Sequence, residues 1–286
     1  MLPLSFEFFP PKTDEGQEKL RSTWHALAAL KPRFFSCTYG AGGSTRERTH
    51  STVKRILVET PLTPAAHLTC VNASRAETLE IAETYAQAGV TQIVALRGDA
   101  PKGEAKFTAH PEGFASSVEL ISALADTGKF TLRVGAYPEK HPEASSLAAD
   151  IDWLKAKLDA GATSAITQFF FEAETFFRFR DAATRAGITA PIIPGILPIE
   201  NWAGARRFAE ACGTSIPQVV SDAFEHATRD GNTDLLATAL ATELCDDLIE
   251  GGVDHLHFYT LNRPELTRDV CHALGVSPKV RLQNVA

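Results

Sequence analysis

The chain has 286 residues, of which 44% are hydrophobic and 22% are charged, and its formal net charge is −7. This balance is that of an ordinary globule with a sizeable core, which excludes a disordered chain. The length is larger than that of a usual domain but suits one α/β barrel, which takes about 250 residues. Because proteins that bind nucleic acid present basic surfaces, the negative charge makes nucleic acid a poor partner.

The N-terminus and the cysteines indicate a cytoplasmic protein. The apolar run that begins at Met1 has no basic region before it and is interrupted by Glu7 and three prolines, so it does not match a signal peptide. The sequence has no uninterrupted stretch of about 18 apolar residues that would span a membrane. The five cysteines are far apart and form no C-x-x-C pair. They are therefore expected to be buried, reduced thiols.

Short β-like runs alternate with longer amphipathic segments along the whole chain. The runs start roughly 30 residues apart, except for a longer gap before the last one, and this period suits a strand, two loops and a covering helix. The eight predicted strands are Leu4–Phe9, Phe34–Tyr39, Ala65–Cys70, Gln92–Arg97, Thr131–Tyr137, Ala165–Phe170, Pro191–Leu197 and His255–Thr260.

The segments between the strands carry helix signals. Ser74, with Glu77 three residues later, forms a capping-box pattern and predicts a helix over Ser74–Ala88 that stops at Gly89. Two further helices should end before glycines, and two more fall in the long gap before the last strand. These four are predicted at Leu147–Ala160, Phe176–Ala186, Ile216–Thr228 and Thr233–Glu250.

Eight strands that alternate with helices predict a closed (β/α)8 barrel, the TIM-barrel fold, with an extra helix before the last strand. An open, doubly wound parallel sheet is the architecture that the same alternation leaves open. No linker rich in proline, serine and glycine divides the chain, so residues 1–286 are expected to form one domain.

Polar side chains gather near the carboxyl ends of the predicted strands. Alternate side chains of a strand face opposite ways, so each run has one oily face and one polar face. In a barrel the carboxyl ends of the strands form one mouth, where the catalytic groups of this fold lie. A single polar residue there is readily explained by local hydrogen bonding, whereas eight together predict an active site. The eight are Glu7, Thr38, His67, Arg97, Asp99, Tyr137, Gln168 and Tyr259.

Other catalytic motifs are incomplete or missing from the sequence. The segment Gly40–Thr45 follows a strand but lacks the last glycine of a dinucleotide-binding G-x-G-x-x-G motif. His255 and His257 share one strand face and could bind a metal together with His67 and Asp99. We favour a hydrogen-bonded structural role for the two histidines, and no metal site is predicted.

Eight groups of short motifs follow one another along the chain between residue 4 and about residue 276. They are Ser5–Pro11, Thr38–Ala41, His67–Cys70, Ala95–Asp99, Ala136–Glu139 with His141–Glu143, Ile166–Phe171, Ile193–Pro198 and Phe258–Arg263. In this order they resemble the methylenetetrahydrofolate reductase family, and the resemblance covers nearly the whole chain.

The resemblance implies a flavoenzyme that reduces 5,10-methylenetetrahydrofolate to 5-methyltetrahydrofolate with NADH or NADPH, in two half-reactions at one site. Such an enzyme supplies methyl groups for methionine synthesis. FAD would bind tightly but non-covalently across the barrel mouth. Arg97 and Lys157 suit its diphosphate, because a cation offsets the phosphate charge. The full set of FAD contacts would be Thr38, Tyr39, Ala41, His67, Arg97, Gly98, Asp99, Ala115, Tyr137, His141, Ala144, Asp150 and Lys157.

Two carboxylates take catalytic roles by this resemblance. Glu7 falls where the family has its general acid, which protonates N10 of the folate as the five-membered ring opens. Burial beside Phe9 and a flavin would favour the neutral, proton-donating form of Glu7. Asp99 corresponds to a carboxylate near the flavin N1 and C2 carbonyl. Its charge would disfavour the anionic reduced flavin and stabilise a cationic iminium.

The substrates implied by the resemblance are small folate and nicotinamide molecules. Gln168 would contact both, Phe208 would stack on one or both, and Arg263 could pair with the glutamate tail of folate. Three positions depart from better-known bacterial members and bear on the affinities for FAD and folate: Phe114, Trp153 and Gly204. Family members are often homo-oligomers, and the subunit number of this chain stays open, as does the choice between NADH and NADPH.

Two other functions remain open from the sequence. One is a pterin-binding methyltransferase barrel without flavin, against which a yellow purified protein would argue. The other is a catalytically silent protein that binds flavin or folate. The presence of both Glu7 and Asp99 counts against the silent protein, and NADH oxidation with a quinone acceptor would exclude it.

Overall fold

The strands form a single parallel sheet in the computed structural model, which describes residues 2–39, 46–99 and 107–277. Each predicted strand overlaps an observed one, and the observed strands end one to three residues earlier. Their bounds are β1 (Leu4–Phe8), β2 (Phe34–Cys37), β3 (Ala65–Thr69), β4 (Gln92–Leu96), β5 (Thr131–Ala136), β6 (Ser164–Thr167), β7 (Ile192–Ile193), β8 (Gly195–Ile196) and β9 (Leu256–Tyr259).

The sheet closes into a barrel through β7 and β8, which are two halves of one predicted strand. The order of pairing is β7-β6-β5-β4-β3-β2-β1-β9-β8. Only Pro194 separates β7 from β8, and a proline has no N–H to donate to a strand ladder, which accounts for the interruption. The carbonyl of Pro194 still accepts a hydrogen bond from the N–H of His257 at 3.0 Å. The closed barrel is therefore confirmed, and the open doubly wound sheet is excluded.

Helices follow the strands in the order expected of this fold. The capping box at Ser74 is confirmed, since the Ser74 N–H donates to the Glu77 carboxylate and the Glu77 N–H donates to Ser74 Oγ. The helices in the described residues are α1 (Asp14–Ala28), α2 (Arg46–Glu59), α3 (Arg75–Gln87), α4 (Ser117–Asp126), α5 (Leu147–Asp159), α6 (Ala173–Arg185), α7 (Trp202–Cys212), α8 (Gln218–Asp230), α9 (Thr233–Glu250) and α10 (Glu265–Ala273). None of them is long and apolar enough to cross a membrane.

The gap before the last strand holds three helices, one more than the sequence predicts. The additional helix is α7, and its start carries a readable signal, because the Asn201 side chain accepts a hydrogen bond from the N–H of Gly204. With α8 and α9 it forms a layer that extends one side of the barrel mouth. Phe208, a predicted substrate contact, and Gly204 both lie on this helix.

The predicted alternation of faces is observed in the first strand. Leu4, Phe6 and Phe8 point outward into a core that also holds Trp24 of α1. Burying an aromatic or aliphatic side chain of this kind contributes about 1.5–3 kcal/mol. The other face of β1 turns into the barrel, where Ser5 contacts His257 of β9 and Glu7 contacts β2 and β3.

Gly195 of β8 has no room for a side chain. A Cβ there would lie 2.2 Å from the backbone oxygen of Thr167 and 2.5 Å from Cε2 of Tyr259. We expect Gly195→Ala to lower the free energy of unfolding by about 1–3 kcal/mol, because a backbone atom must move. The measurement is equilibrium denaturation by urea.

Gly204→Ala is the matched control. A Cβ at Gly204 would approach its nearest neighbour, Asn201 Cγ, only to 3.4 Å. Because alanine is the better helix former, this variant should gain about 0.5–1 kcal/mol. Equal stabilities of the two variants would contradict the account of close approach at Gly195.

Candidate active site

A cavity of about 290 Å³ lies at the carboxyl ends of the strands, with Glu7 in its lining. We call it the Glu7 pocket. The residues at its rim include exposed apolar side chains, Phe9, Phe208 and Leu261, which are typical of a ligand-binding surface. The predicted site residues that line it are Glu7, Thr38, His67, Tyr137, Gln168, Phe208 and Tyr259.

A second cavity, of about 390 Å³, continues from the first. We call it the Arg97 cleft. Leu96, Gly135 and Tyr137 line both cavities, so the two form one continuous depression across the mouth. The predicted cofactor contacts that line the cleft are Tyr39, Arg97, Gly98, Asp99, Tyr137, His141, Ala144, Asp150 and Lys157.

A few predicted site residues lie outside these two cavities. Ala41 is outside the described residues. Ala115 is exposed, and its N–H donates to the carboxylate of Glu119 at 3.3 Å. Arg263 lines a third cavity, of about 400 Å³, which we call the Arg263 groove. Of the three positions that depart from the family pattern, Phe114 is buried, Trp153 lines the Arg97 cleft and Gly204 lines the Arg263 groove.

Glu7 is surrounded by groups that favour its carboxylate form. Ser36 Oγ donates to Glu7 Oε2 at 3.0 Å. The Nε2 atoms of His67 and His257 lie 3.1 and 3.5 Å from the same oxygen. Both imidazoles are close enough to stabilise the carboxylate by charge and by polar contact. Strand register explains the arrangement, because Glu7 is aligned with Ser36 of β2 and with Tyr259 of β9.

A chain of hydrogen bonds beneath Glu7 orients the histidines. Ser5 Oγ lies 2.7 Å from His257 Nδ1 and 3.0 Å from His255 Nε2. If His255 Nε2 carries the proton, Ser5 can accept from it and donate to His257 Nδ1, which turns the N–H of His257 toward Glu7. His255 and His257 thus have a hydrogen-bonded role. The described residues contain no group of three or more potential ligands placed to hold a metal ion.

The protonation of Glu7 in the free protein is set by its neighbours. Burial raises the pKa of Glu7, but the charge of His67 and the contacts with both imidazoles outweigh burial and hold that pKa well below its usual range. The carboxylate form is therefore favoured in the free protein, whereas the neutral form expected beside a bound flavin stays a prediction. The sequence pattern showed that the position was buried but not that two imidazoles would share it.

The two predicted diphosphate contacts have partners within the protein. The guanidinium of Arg97 binds the Glu143 carboxylate through two contacts, at 2.6 and 3.0 Å. The ammonium of Lys157 is buried and donates to the carbonyl of Gly135 at 2.6 Å. Burial lowers the pKa of Lys157 to about 8, an effect that the nearby Asp150 opposes. Any anion that binds in the cleft must compete for these cations.

The turn that carries Arg97 and Asp99 depends on Gly98. Its φ of +90° is a conformation that other residues rarely adopt. A Cβ at Gly98 would also lie 2.8 Å from Val71 Cγ1. Gly98 thus lets the turn pack against the end of β3 and places Asp99 in the cleft wall.

Gln168 is held in one orientation at the junction of β6 and the mouth. Its Oε1 accepts from the N–H of Phe169 at 3.0 Å, and its Nε2 donates to Cys212 Sγ at 3.2 Å. Phe208 stacks on Phe169 with ring centroids 5.1 Å apart. Ser5, Ser36, Cys212 and Glu143 are members of the site that the sequence did not single out, because each acts through a contact that is distant along the chain.

The fold is that of an α/β-barrel enzyme, and this mouth is its candidate active site. A family model described as methylenetetrahydrofolate reductase matches residues 2–275. A protein of Pectobacterium carotovorum is 45% identical to this chain, over 97% of this chain and 91% of its own length. A protein of Salmonella typhimurium is 47% identical, over 96% of this chain and 91% of its own length. Both proteins are named 5,10-methylenetetrahydrofolate reductase. The chain therefore belongs to the methylenetetrahydrofolate reductase family and is an oxidoreductase.

Solved structures resemble the chain in fold. An uncharacterized protein from Clostridium thermocellum, which binds two copies of 5-methyl-5,6,7,8-tetrahydrofolic acid, has a TM-score of 0.61 with 13% sequence identity. The match covers 96% of this chain and 94% of that protein. At this identity the likeness supports the barrel architecture and nothing finer.

The buried histidines should make stability depend on pH. Burial lowers the pKa of His255 to about 3 from an ordinary 6.5, and it also lowers the pKa of His257. Between those values the unfolded chain takes up protons that the folded chain does not, so stability is lost as the pH falls below 6.5. We expect His255→Gln to remove up to about 1.4 kcal/mol per pH unit from this slope.

The measurement is the free energy of unfolding at several values between pH 7 and pH 5. The matched control is His272→Gln, since His272 is exposed on α10 and should leave the slope unchanged. A His255→Gln variant with the wild-type slope would show that His255 takes up its proton in the folded protein as readily as in the unfolded one.

Proposed function

We propose that this chain reduces 5,10-methylenetetrahydrofolate to 5-methyltetrahydrofolate, with NADH or NADPH as the electron source and FAD as the carrier. The observation that carries the proposal is the position of Glu7, an acid in the lining of a pocket that shares three lining residues with a cleft containing cationic groups. The family relationship supports the same reaction.

The lining of the Arg97 cleft suits a dinucleotide. The cleft shares lining residues with the Glu7 pocket, and it contains Arg97 and Lys157 as partners for phosphate groups. Asp150 is already ordered by the N–H of His141, which donates to it at 2.7 Å, and its remaining lone pairs suit a ribose hydroxyl. When bound, the flavin supplies hydride transfer between the nicotinamide and the folate.

Glu7 delivers the proton that N10 of the folate needs as the ring opens. Its nearest titratable neighbour is His67, whose Nε2 lies 3.1 Å from Glu7 Oε2, so a proton can pass within this pair. A bound ligand that excludes water adds to the burial that already raises the pKa of Glu7. Loading of the site thus favours the neutral acid, whereas the free protein favours the carboxylate.

Asp99 supplies negative charge on the wall of the cleft. Burial raises the pKa of Tyr137 to about 12, and the charge of Asp99, which lines the same cleft, adds to that rise. The same charge would disfavour an anionic reduced cofactor and favour a cationic folate intermediate. Gln168 and Phe208, held as described above, would position the pterin and nicotinamide rings.

Glu7→Gln tests the proton donor. The glutamine keeps the shape of the side chain but cannot give up an acidic proton, so we expect folate reduction to fall by about 10²–10⁴-fold. Flavin content and reduction of the flavin by NADH should persist. Anaerobic stopped-flow follows the two half-reactions separately at the flavin absorption bands.

Glu80→Gln is the control for this experiment, because Glu80 is exposed on α3, away from the mouth, and both half-reactions should keep wild-type rates. If Glu7→Gln reduces methylenetetrahydrofolate within a few-fold of wild type, Glu7 is not the proton donor.

Asp99→Asn tests the electrostatic role of Asp99. Loss of the charge should make the bound flavin easier to reduce, which raises its midpoint potential by tens of millivolts. Asp150→Asn removes a charge farther along the cleft and should shift the potential less. A potential for Asp99→Asn at or below the wild-type value, measured by dye equilibration, would rule out this role.

A further inference from the structure

The Arg263 groove is an extension of the Glu7 pocket. Phe9, Phe208 and Leu261 line both cavities, so a ligand that fills the pocket can continue into the groove along these side chains. Leu197 and Ile199 add to its apolar wall. This shape suits a ligand whose middle part is flat and apolar and whose end lies beyond the aromatic side chains.

Two charged residues, Glu200 and Arg263, stand in the lining of this groove. Arg263 Nη1 lies 2.7 Å from Glu200 Oε2, so the cation that would receive an anionic ligand already holds an anion. The Arg263 side chain is 66% exposed, whereas that of Glu200 is only 18% exposed. Glu200 is therefore the fixed member of the pair and Arg263 the member that is free to turn toward a ligand.

The surroundings of Glu200 are acidic. Burial raises the pKa of Glu200, Arg263 opposes that rise, and Glu265 and Asp234 add to it. Three carboxylates thus act near one guanidinium at the far end of the groove. A ligand carboxylate that approaches Arg263 must displace Glu200 and meets repulsion from the others.

We propose that Glu200 is a specificity-determining residue, whose carboxylate competes with the anionic tail of the folate substrate for Arg263. The proposal rests on the function proposed above and concerns the glutamate end of the substrate only. Gly204, which also lines the groove, has no side chain to offer the tail another partner. The strength of tail recognition is then decided by the exchange of one carboxylate for another on Arg263.

Glu200→Gln tests the competition in the FAD-loaded enzyme. The two substrates are 5,10-methylenetetrahydrofolate with one glutamate and 5,10-methylenetetrahydropteroate, which has the same rings and no glutamate. Removing the competing charge should lower the KM of the glutamylated substrate relative to the tail-less one by about three- to fivefold, the range of a partly exposed ion pair. Calorimetric affinities of folic acid and pteroic acid for the oxidised enzyme should show the same change in ratio.

Two further variants separate competition from a general effect of charge. In an Arg263→Gln background, Glu200→Gln should no longer change the ratio, because the contested cation is gone. Glu265→Gln removes a nearby carboxylate that does not contact Arg263 in the structure, and it should change the ratio by less than about twofold.

The proposal is overturned if Glu200→Gln leaves the ratio at its wild-type value, or if the same change persists without Arg263. Failure of the proposed function looks different, since the wild-type enzyme would then reduce neither pterin.

Discussion

A carboxylate enclosed in the barrel must have donors around it, and this requirement organises the centre of the molecule. A buried charge without partners costs several kcal/mol. Glu7 meets the requirement with Ser36, His67 and His257, which come from three different strands. These contacts exist only if β1 is paired with β2 on one side and β9 on the other. The closure of the barrel therefore also determines whether the carboxylate of Glu7 is stabilised.

Two of the site cations are bound by the protein's own carboxylates in the free chain. Arg97 holds Glu143, and Arg263 holds Glu200. These pairs neutralise the two guanidinium groups at the mouth of a chain whose net charge is −7. An anionic ligand must therefore displace an internal carboxylate. Its binding free energy reflects the difference between the new ion pair and the ion pair that it replaces. This makes the residues beside the cations as important for affinity as the cations themselves.

Much of the fold and most of the candidate site could be predicted from local pattern. The period of strands and helices indicated the barrel, and the polar strand ends indicated its mouth, since both depend on short-range alternation and on the rule that parallel strands share one carboxyl edge. Helix α7 was missed, although Asn201 marks its start, because the long gap offered no strand to frame it. The preference of Glu7 for the carboxylate form in the free protein could not be predicted from local pattern, since its two imidazole neighbours lie 60 and 250 residues away along the chain.

The sequence by itself determined the order of the strands, the barrel that they form, the family relationship and the identity of the candidate acid. These follow from residue types and their spacing, which the chain carries locally. Only the tertiary structure decided the partners: the imidazoles on Glu7, the serine between His255 and His257, and the carboxylates on Arg97 and Arg263. The physical reason is that Coulomb and hydrogen-bond energies depend on distances of a few ångströms. Strand register and barrel closure set these distances between residues that are far apart in the sequence.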